Sequence, residues 1–415
     1  MKKGFINLIL PITLFCFMGS FVKYVSYLTN ANMRWLSSSI LLIVVVLSKI
    51  KFINRFKKPE ILIHLILCFW LILGSVWSDY AIITIYKSIA YILVSISIFF
   101  ASSHWAEKKD LKNKLDFMII CLFLALLACI AGTIDSSISD YLNLSSAFTV
   151  YTGIVNNPNA LGAMILMVLP YCLWKITISR GIIFKIFWSS CILILTISAF
   201  LSYARSSLIG IIFLLFIYLF SRKKSKIIIS LITSLSILSI VFFNFQAVDD
   251  LIIDRYIYKS FDRDGSIIFS REENWKESFE AAKQGGLFGA GFGVAIGSEK
   301  VSIKGFSASA SGYGREKGNG ILAIVEESGL IGLGIATFFN CYLLLTARRA
   351  YIITKNIQER TLLIILFGAF FSISLFGLGE AYIVAPGTFE FAIYFAYLGA
   401  LSGYSRNLIF RYLSK

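Results

Sequence analysis

The sequence predicts an all-α polytopic membrane protein of about twelve transmembrane helices, with one large polar loop between the ninth and the tenth. Three observations carry this prediction. Apolar segments of about 20 residues, the length that spans a bilayer, recur through nearly the whole chain. The composition is 58% hydrophobic and only 15% charged, with a mean hydropathy of +0.79, which excludes an ordinary soluble domain. Basic residues fall almost entirely in every second interval between the apolar segments, as the positive-inside rule requires.

Taken in order, the expected spans are 4–22, 35–50, 60–77, 81–101, 115–134, 159–177, 181–201, 206–221, 226–245, 320–346, 361–380 and 388–409. With the N-terminus inside, the inner segments hold 25 of the 39 basic residues, whereas the short outer loops hold only Lys23 and Arg34. Both termini then face the cytoplasm, and the long segments 135–158 and 246–319 face out. This placement also accounts for the net charge of +16, so nucleic acid is not an expected partner. The apolar N-terminus after Met1-Lys2-Lys3 resembles a signal peptide but lacks a small-residue cleavage site before a soluble domain. It reads as the first span.

Most of the first 150 residues read as scaffold. The spans at 35–50 and 206–221 are nearly pure Leu, Ile, Val and Phe and are expected to face lipid. The seven cysteines all lie in apolar segments and read as buried fillers rather than a disulfide framework. His64 and His104 lie toward the inner side and read as structural. Lys87, inside the fourth span, must either face the interior or snorkel to the interface, because a charge at the bilayer centre costs about 2.5–3.5 kcal/mol.

The outer segments carry the chemistry. Asn156-Asn157-Pro158-Asn159 is a turn in which Asn159 is placed to cap the sixth span. The amides of Asn156 and Asn159 are also candidates for binding sugar hydroxyls. Ser202-Tyr203-Ala204-Arg205-Ser206 joins two spans without a loop, so Arg205 sits at the outer boundary, where a guanidinium fork suits a phosphate. The interval 246–319 contains 10 of the basic and 11 of the acidic residues. Within it, 270–283 reads as an amphipathic helix with Ser270 and Glu273 as a capping box and Trp275, Phe279 and Ala282 as its apolar face. Arg271 falls in the first turn, where the helix dipole disfavours a cation unless an anion joins it. The glycines of Leu287-Phe288-Gly289-Ala290-Gly291-Phe292-Gly293 follow a helix rather than a strand. A dinucleotide fingerprint is therefore rejected in favour of a tightly packed backbone.

A Ser/Ala/Gly run at 307–314 leads to Arg315-Glu316-Lys317-Gly318-Asn319, and the tenth span then carries Glu326 and Glu327. Paired acids at the membrane boundary are not needed for folding, so they are candidates for a general base or for holding an arginine. Glu316, Glu326 and Glu327 compete for these duties. Glu316 reads as the base and Glu327 as the clamp, on the expectation that adjacent helical residues cannot both face one cavity.

Four motifs together resemble the O-antigen ligase and polymerase superfamily of membrane glycan transferases. They are Asn156-Asn157-Pro158-Asn159, Ser202 to Ser206, Arg271 to Trp275 with the glycine run, and Asn319 to Gly332, all in that family's order. The match covers about 150–345, so the chain divides into N-terminal spans (1–150), a ligase/polymerase-like core (151–345) and C-terminal spans (346–415). The resemblance implies a GT-C-like fold in a bacterial inner membrane with the active site facing the periplasm. It further implies an undecaprenyl-diphosphate-linked glycan donor and an inverting transfer without metal or other cofactor. Arg205 and Arg271 align with the arginines that grip the diphosphate, with Arg315 beside them, and Trp275, Lys317 and Asn319 join the substrate contacts. A chain-length regulator and a flippase are the protein partners open to it, alongside membrane lipid. Ligases of the family place a His directly before Asn319, where this chain has Gly318, and this shifts the reading from lipid A core ligase toward polymerase. A twelve-span transporter or flippase is the alternative of another class; its expected pair of similar halves is not seen.

Overall fold

The computed structural model describes residues 4–47, 58–135, 151–155, 157–202, 204–221, 269–296 and 317–413. Among them the chain forms α1 (Gly4–Gly19), α2 (Ala31–Leu47), α3 (Pro59–Leu73), α4 (Ala81–Lys108), α5 (Ile119–Asp135) and α6 (Pro158–Ile178). These are followed by α7 (Ile182–Leu201), α8 (Arg205–Ser221), α9 (Phe269–Gly285), α10 (Gly320–Ile353), α11 (Ile357–Phe376) and α12 (Phe389–Leu413). Seven segments are long and apolar enough to cross a membrane, and α1, α2 and α8 are shorter apolar helices. The chain is an all-α, multi-pass membrane protein. Helices α1–α8 and α10–α12 coincide with expected spans, while the ninth, 226–245, lies outside the described residues.

Two helices form the centre. Helix α6 is apolar on every side, and all of its residues from 160 to 174 are buried, as befits a helix surrounded by others. Helix α12 is buried continuously from 389 to 405. Its Gly399 and Gly403, four residues apart, allow the backbone of α4 to approach until a Cβ would strike Phe99 O or Ser103 O. Tyr397 of α12 donates to Met167 O of α6 at 2.6 Å. His64 is buried among the rings of Tyr91, Phe99, Phe339 and Phe395 and bonds Ser95 at 3.1 Å, which makes it a core residue. Helices α2 and α8, expected to face lipid, each present an exposed apolar stripe but also bury one, including Leu41 and Val44 in α2 and Ile211 and Leu214 in α8.

The two ends of the bundle differ. One is basic and held by ion pairs: Arg406 with Glu60 and Glu107, Lys58 with Glu107, Lys175 with Asp116, and Arg411 with Glu359. The opposite end carries α9 and the loops, and is called the cap end below. There Lys23 N donates to Ile154 O at 2.9 Å, and Val22 and Val155 form an isolated bridge. Six cysteines are buried as expected, but Cys341 is exposed on the apolar flank of α10.

Candidate functional site

The site is organised by a break in α10. Gly329 has φ +72°, a left-handed conformation, so the helix stops and restarts there. The break strands carbonyls on one side and N–H groups on the other, and each unmet group costs several kcal/mol inside a bilayer. The glycine loop satisfies them. Ala290 N donates to Glu326 O at 2.9 Å, Gly291 N to Glu327 O at 3.1 Å, and Trp70 Nε1 to Ser328 O at 2.8 Å. In return Leu330 N and Ile331 N donate to Gly286 O and Leu287 O at 3.0 and 3.2 Å. Trp77 Nε1 holds Gly289 O at 3.0 Å, and Trp70, Trp77 and Phe288 pack ring against ring. The tight backbone expected of the glycine run is therefore a brace for a broken helix.

Above the break lies a buried charge cluster. Glu326 and Glu327 are 0% and 1% exposed. Lys317 Nζ lies 2.6 Å from Glu327 Oε1, 3.5 Å from Glu326 Oε2 and 2.9 Å from Val294 O. Gly293 N donates to Glu327 Oε2 at 2.6 Å, and Ile296 N to Glu326 Oε1 at 2.8 Å. The stem of Lys87 lies against Gly293, and its charge interacts with Glu327 and Lys317, so Lys87 faces the interior instead of snorkelling. Two sequence expectations need correction here. Both acids face the same feature, because the loop at 291–296 crosses the helix and presents a separate N–H to each. Glu327 was expected to hold Arg205 or Arg271; among the described residues its ion-pair partner is Lys317. With a lysine and an amide on it, Glu327 is spent as a brace.

A second convergence forms at the cap end, around the turn at 377–380 that follows α11. Asn319 caps α10 through Ile321 N and Leu322 N, and its Nδ2 donates to Leu378 O at 3.0 Å. Gly320 N donates to Gly377 O at 2.8 Å. Asn159 Nδ2 donates to Glu380 Oε1 at 3.2 Å. Ser206, next to Arg205, packs on Gly379, while Ala204 and Ser207 pack on Gly162. Asn159 was expected to cap α6, but the cap is Asn157, which accepts from Asn159 N at 2.8 Å. Pro158 at the first helical position starts the helix one residue early. The amide of Asn159 is thereby directed to Glu380. Arg205 is the first residue of α8 and is half-buried. The N-termini of α6, α8 and α10 thus meet at one turn, where their dipoles favour an anion.

Helix α9 lies across this region. Trp275 Nε1 donates to Gly318 O at 3.0 Å, which ties α9 to the start of α10. The expected apolar face is rotated: Ser278, Ala281 and Ala282 are buried, whereas Phe279 is 58% exposed. Close packing explains this, because Gly285 rests directly on the backbone of Val325 and Glu326, which only small residues permit. Ser270, expected as the cap, lies inside α9, which begins at Phe269. The backbone of Arg271 is in its first turn; the side chain of Arg271, together with Asn156, Arg315 and Glu316, lies outside what the structure describes. An apolar cavity of about 290 Å³ opens below Asn319, lined by residues including Ile321, Ile324, Asn340, Leu378 and Tyr394.

Sequence reasoning missed Trp70, Trp77 and Glu380. The tryptophans lie near the cap end of an apolar span, a position that hints at an interface but not at a partner in α10. Glu380 sits between a glycine turn and an apolar segment, and nothing local distinguishes it from a boundary acid. Residues 190–337, which contain the second part of α7, all of α8 and α9 and the break in α10, match a family model described as O-antigen ligase. A comparison with curated proteins finds no match.

Proposed function

We propose that this protein is a membrane glycosyltransferase that polymerises undecaprenyl-diphosphate-linked repeat units on the outer side of the bacterial inner membrane. The family match supports a function of the O-antigen ligase or polymerase type in general. The observation that carries the finer reading is the convergence of Arg205 with the N-termini of α6, α8 and α10 at the cap end. An anion is favoured there, and a diphosphate leaving group is what the reaction must stabilise.

The chemistry asks little else of the protein. The anomeric carbon already bears its leaving group, and cations and helix dipoles that bind the departing charge more tightly than the starting diester lower the barrier. Arg205, with Arg271 and Arg315, would hold the diphosphate, while the apolar cavity below Asn319 would take the first isoprene units. An acceptor hydroxyl attacks from the opposite face with inversion as its proton passes to a carboxylate. Gly318 in place of the ligase His favours polymerase over transfer to lipid A core. Purified protein in detergent should elongate lipid-linked repeat units without an ion gradient. EDTA should leave the rate unchanged, because the expected outer face carries no His or Cys. Activity lost to EDTA and restored by magnesium would refute the metal-independent step. In a deletion strain, loss of every chain longer than one unit marks a polymerase. Normal lipid-linked polymer that never reaches lipid A core marks a ligase and overturns this reading.

A further inference from the structure

We propose that Glu380, a residue outside the segment matched by the family model, takes the proton from the acceptor hydroxyl; this rests on the glycosyl-transfer reading above. Position is the first argument. The turn at 377–380 is gripped from three sides by the segments that carry the other candidate residues: Asn159 on Glu380 itself, Ser206 on Gly379, and Asn319 with Gly320 on Leu378 and Gly377. Asn159 holds the carboxylate itself, and the other two segments hold the backbone of its turn.

Availability is the second argument. Glu326 and Glu327 are fully buried and bound by Lys317 and by the N–H groups of Ile296 and Gly293. Glu380 is half-buried, so a sugar hydroxyl can reach it. The amide of Asn159 donates to one of its oxygens and fixes the plane of the carboxyl, as a base that must meet a defined O–H requires. Glu390, in the first turn of α12 and only 8% exposed, bonds Thr388 and feels the charge of Glu380.

The step balances without any further reactant. The acceptor O–H gives its proton to the Glu380 carboxylate while the oxygen forms a bond to the anomeric carbon. The bond from that carbon to the diphosphate oxygen breaks, and the lipid diphosphate leaves with the electron pair. Protonated Glu380 then returns its proton to water. Among the described residues, the titratable groups on the elements packed around it include Glu390 and Tyr394 of α12, Tyr382 of the turn before α12, Arg205 of α8, and Glu326 and Glu327 of α10.

The test uses the full chain in nanodiscs and undecaprenyl-diphosphate-linked single repeat units isolated from a strain that lacks this protein. Glu380→Gln should lower kcat by about 10²–10⁴-fold. Binding of the same lipid should stay within twofold, the acidic limb of the rate profile should vanish, and Glu380→Asp should keep part of the rate. Turnover by Glu380→Gln within threefold of the parent overturns the assignment. So does loss of donor binding together with turnover, which marks a structural clamp, or the same loss of the acidic limb in Glu316→Gln with Glu380→Gln unchanged. A parent protein that fails to elongate these units at all removes the glycosyl-transfer reading, and this assignment with it.

Discussion

Lys317 pairs with two carboxylates that the surrounding helices have already taken out of water. Removing one partner of such a group leaves an unpaired buried charge, at a cost of about 3–5 kcal/mol. Lys317→Met should therefore lower the unfolding midpoint in detergent sharply, and adding Glu327→Gln to it should recover part of the loss, a coupling that a double-mutant cycle measures. If the two losses simply add, the pair is not the brace described here. Arg205 is argued on different grounds. Arg205→Lys keeps the charge but loses the planar fork, so polymer should nearly disappear while protein levels stay normal, and Arg271→Lys should behave alike. Near-native chain length in both would remove them from the site. At this scale the sequence was legible where burial alone makes a residue costly, as for Glu326 and Glu327. Their partners were not, because Lys317 stands ten residues away and the other donors are backbone N–H groups of a loop.

For the elements, the apolar pattern marked where helices run but not where one breaks. Nothing in Glu327-Ser328-Gly329-Leu330 distinguishes a broken helix from a glycine tolerated in a continuous one. The decision rests on whether a loop arrives to satisfy the freed groups, and that is tertiary information. Gly329→Ala tests it. The left-handed conformation disfavours any side chain, and a Cβ there would strike Leu287 O, so a loss of about 1–3 kcal/mol and of folded yield is expected. Gly334, in the same helix with no neighbour within 4 Å of its would-be Cβ, is the control: Gly334→Ala should be neutral or stabilising by up to about 1 kcal/mol. Equal effects at both positions would mean that the break is not constrained by the loop. Two smaller misreadings share one cause. Pro158 moved a helix start, and the small residues of α9 turned its buried face away from Phe279, in each case because a local steric rule outweighed hydrophobicity.

In the molecule as a whole, the division of charge was the most legible feature, and the structure gathers the ion-paired residues Lys58, Lys175, Arg406 and Arg411 at one end. The positive-inside rule then predicts that the cap end faces out. In a background free of native cysteines, Tyr27→Cys, exposed at the cap end, should react with an impermeant maleimide on intact spheroplasts. Gln358→Cys, exposed at the basic end, should react only after lysis. The reverse labelling would invert the topology and place the site on the wrong side. What the sequence concealed at this scale is that its first 150 residues are more than scaffold, since Trp70 reaches the break in α10 and Trp77 and Lys87 reach the glycine loop that braces it. The broken helix also bears on vectorial synthesis. On its own, each charged side chain of α10 would resist leaving the translocon by about 2.5–3.5 kcal/mol. The described groups that relieve this resistance for Glu326 and Glu327 lie upstream: Lys87, the glycine loop and Lys317 are all translated before Glu326. The ribosome thus delivers the solvating shell first and the carboxylates into it afterwards, so the order of residues along the chain is also a timetable for partitioning α10 into lipid.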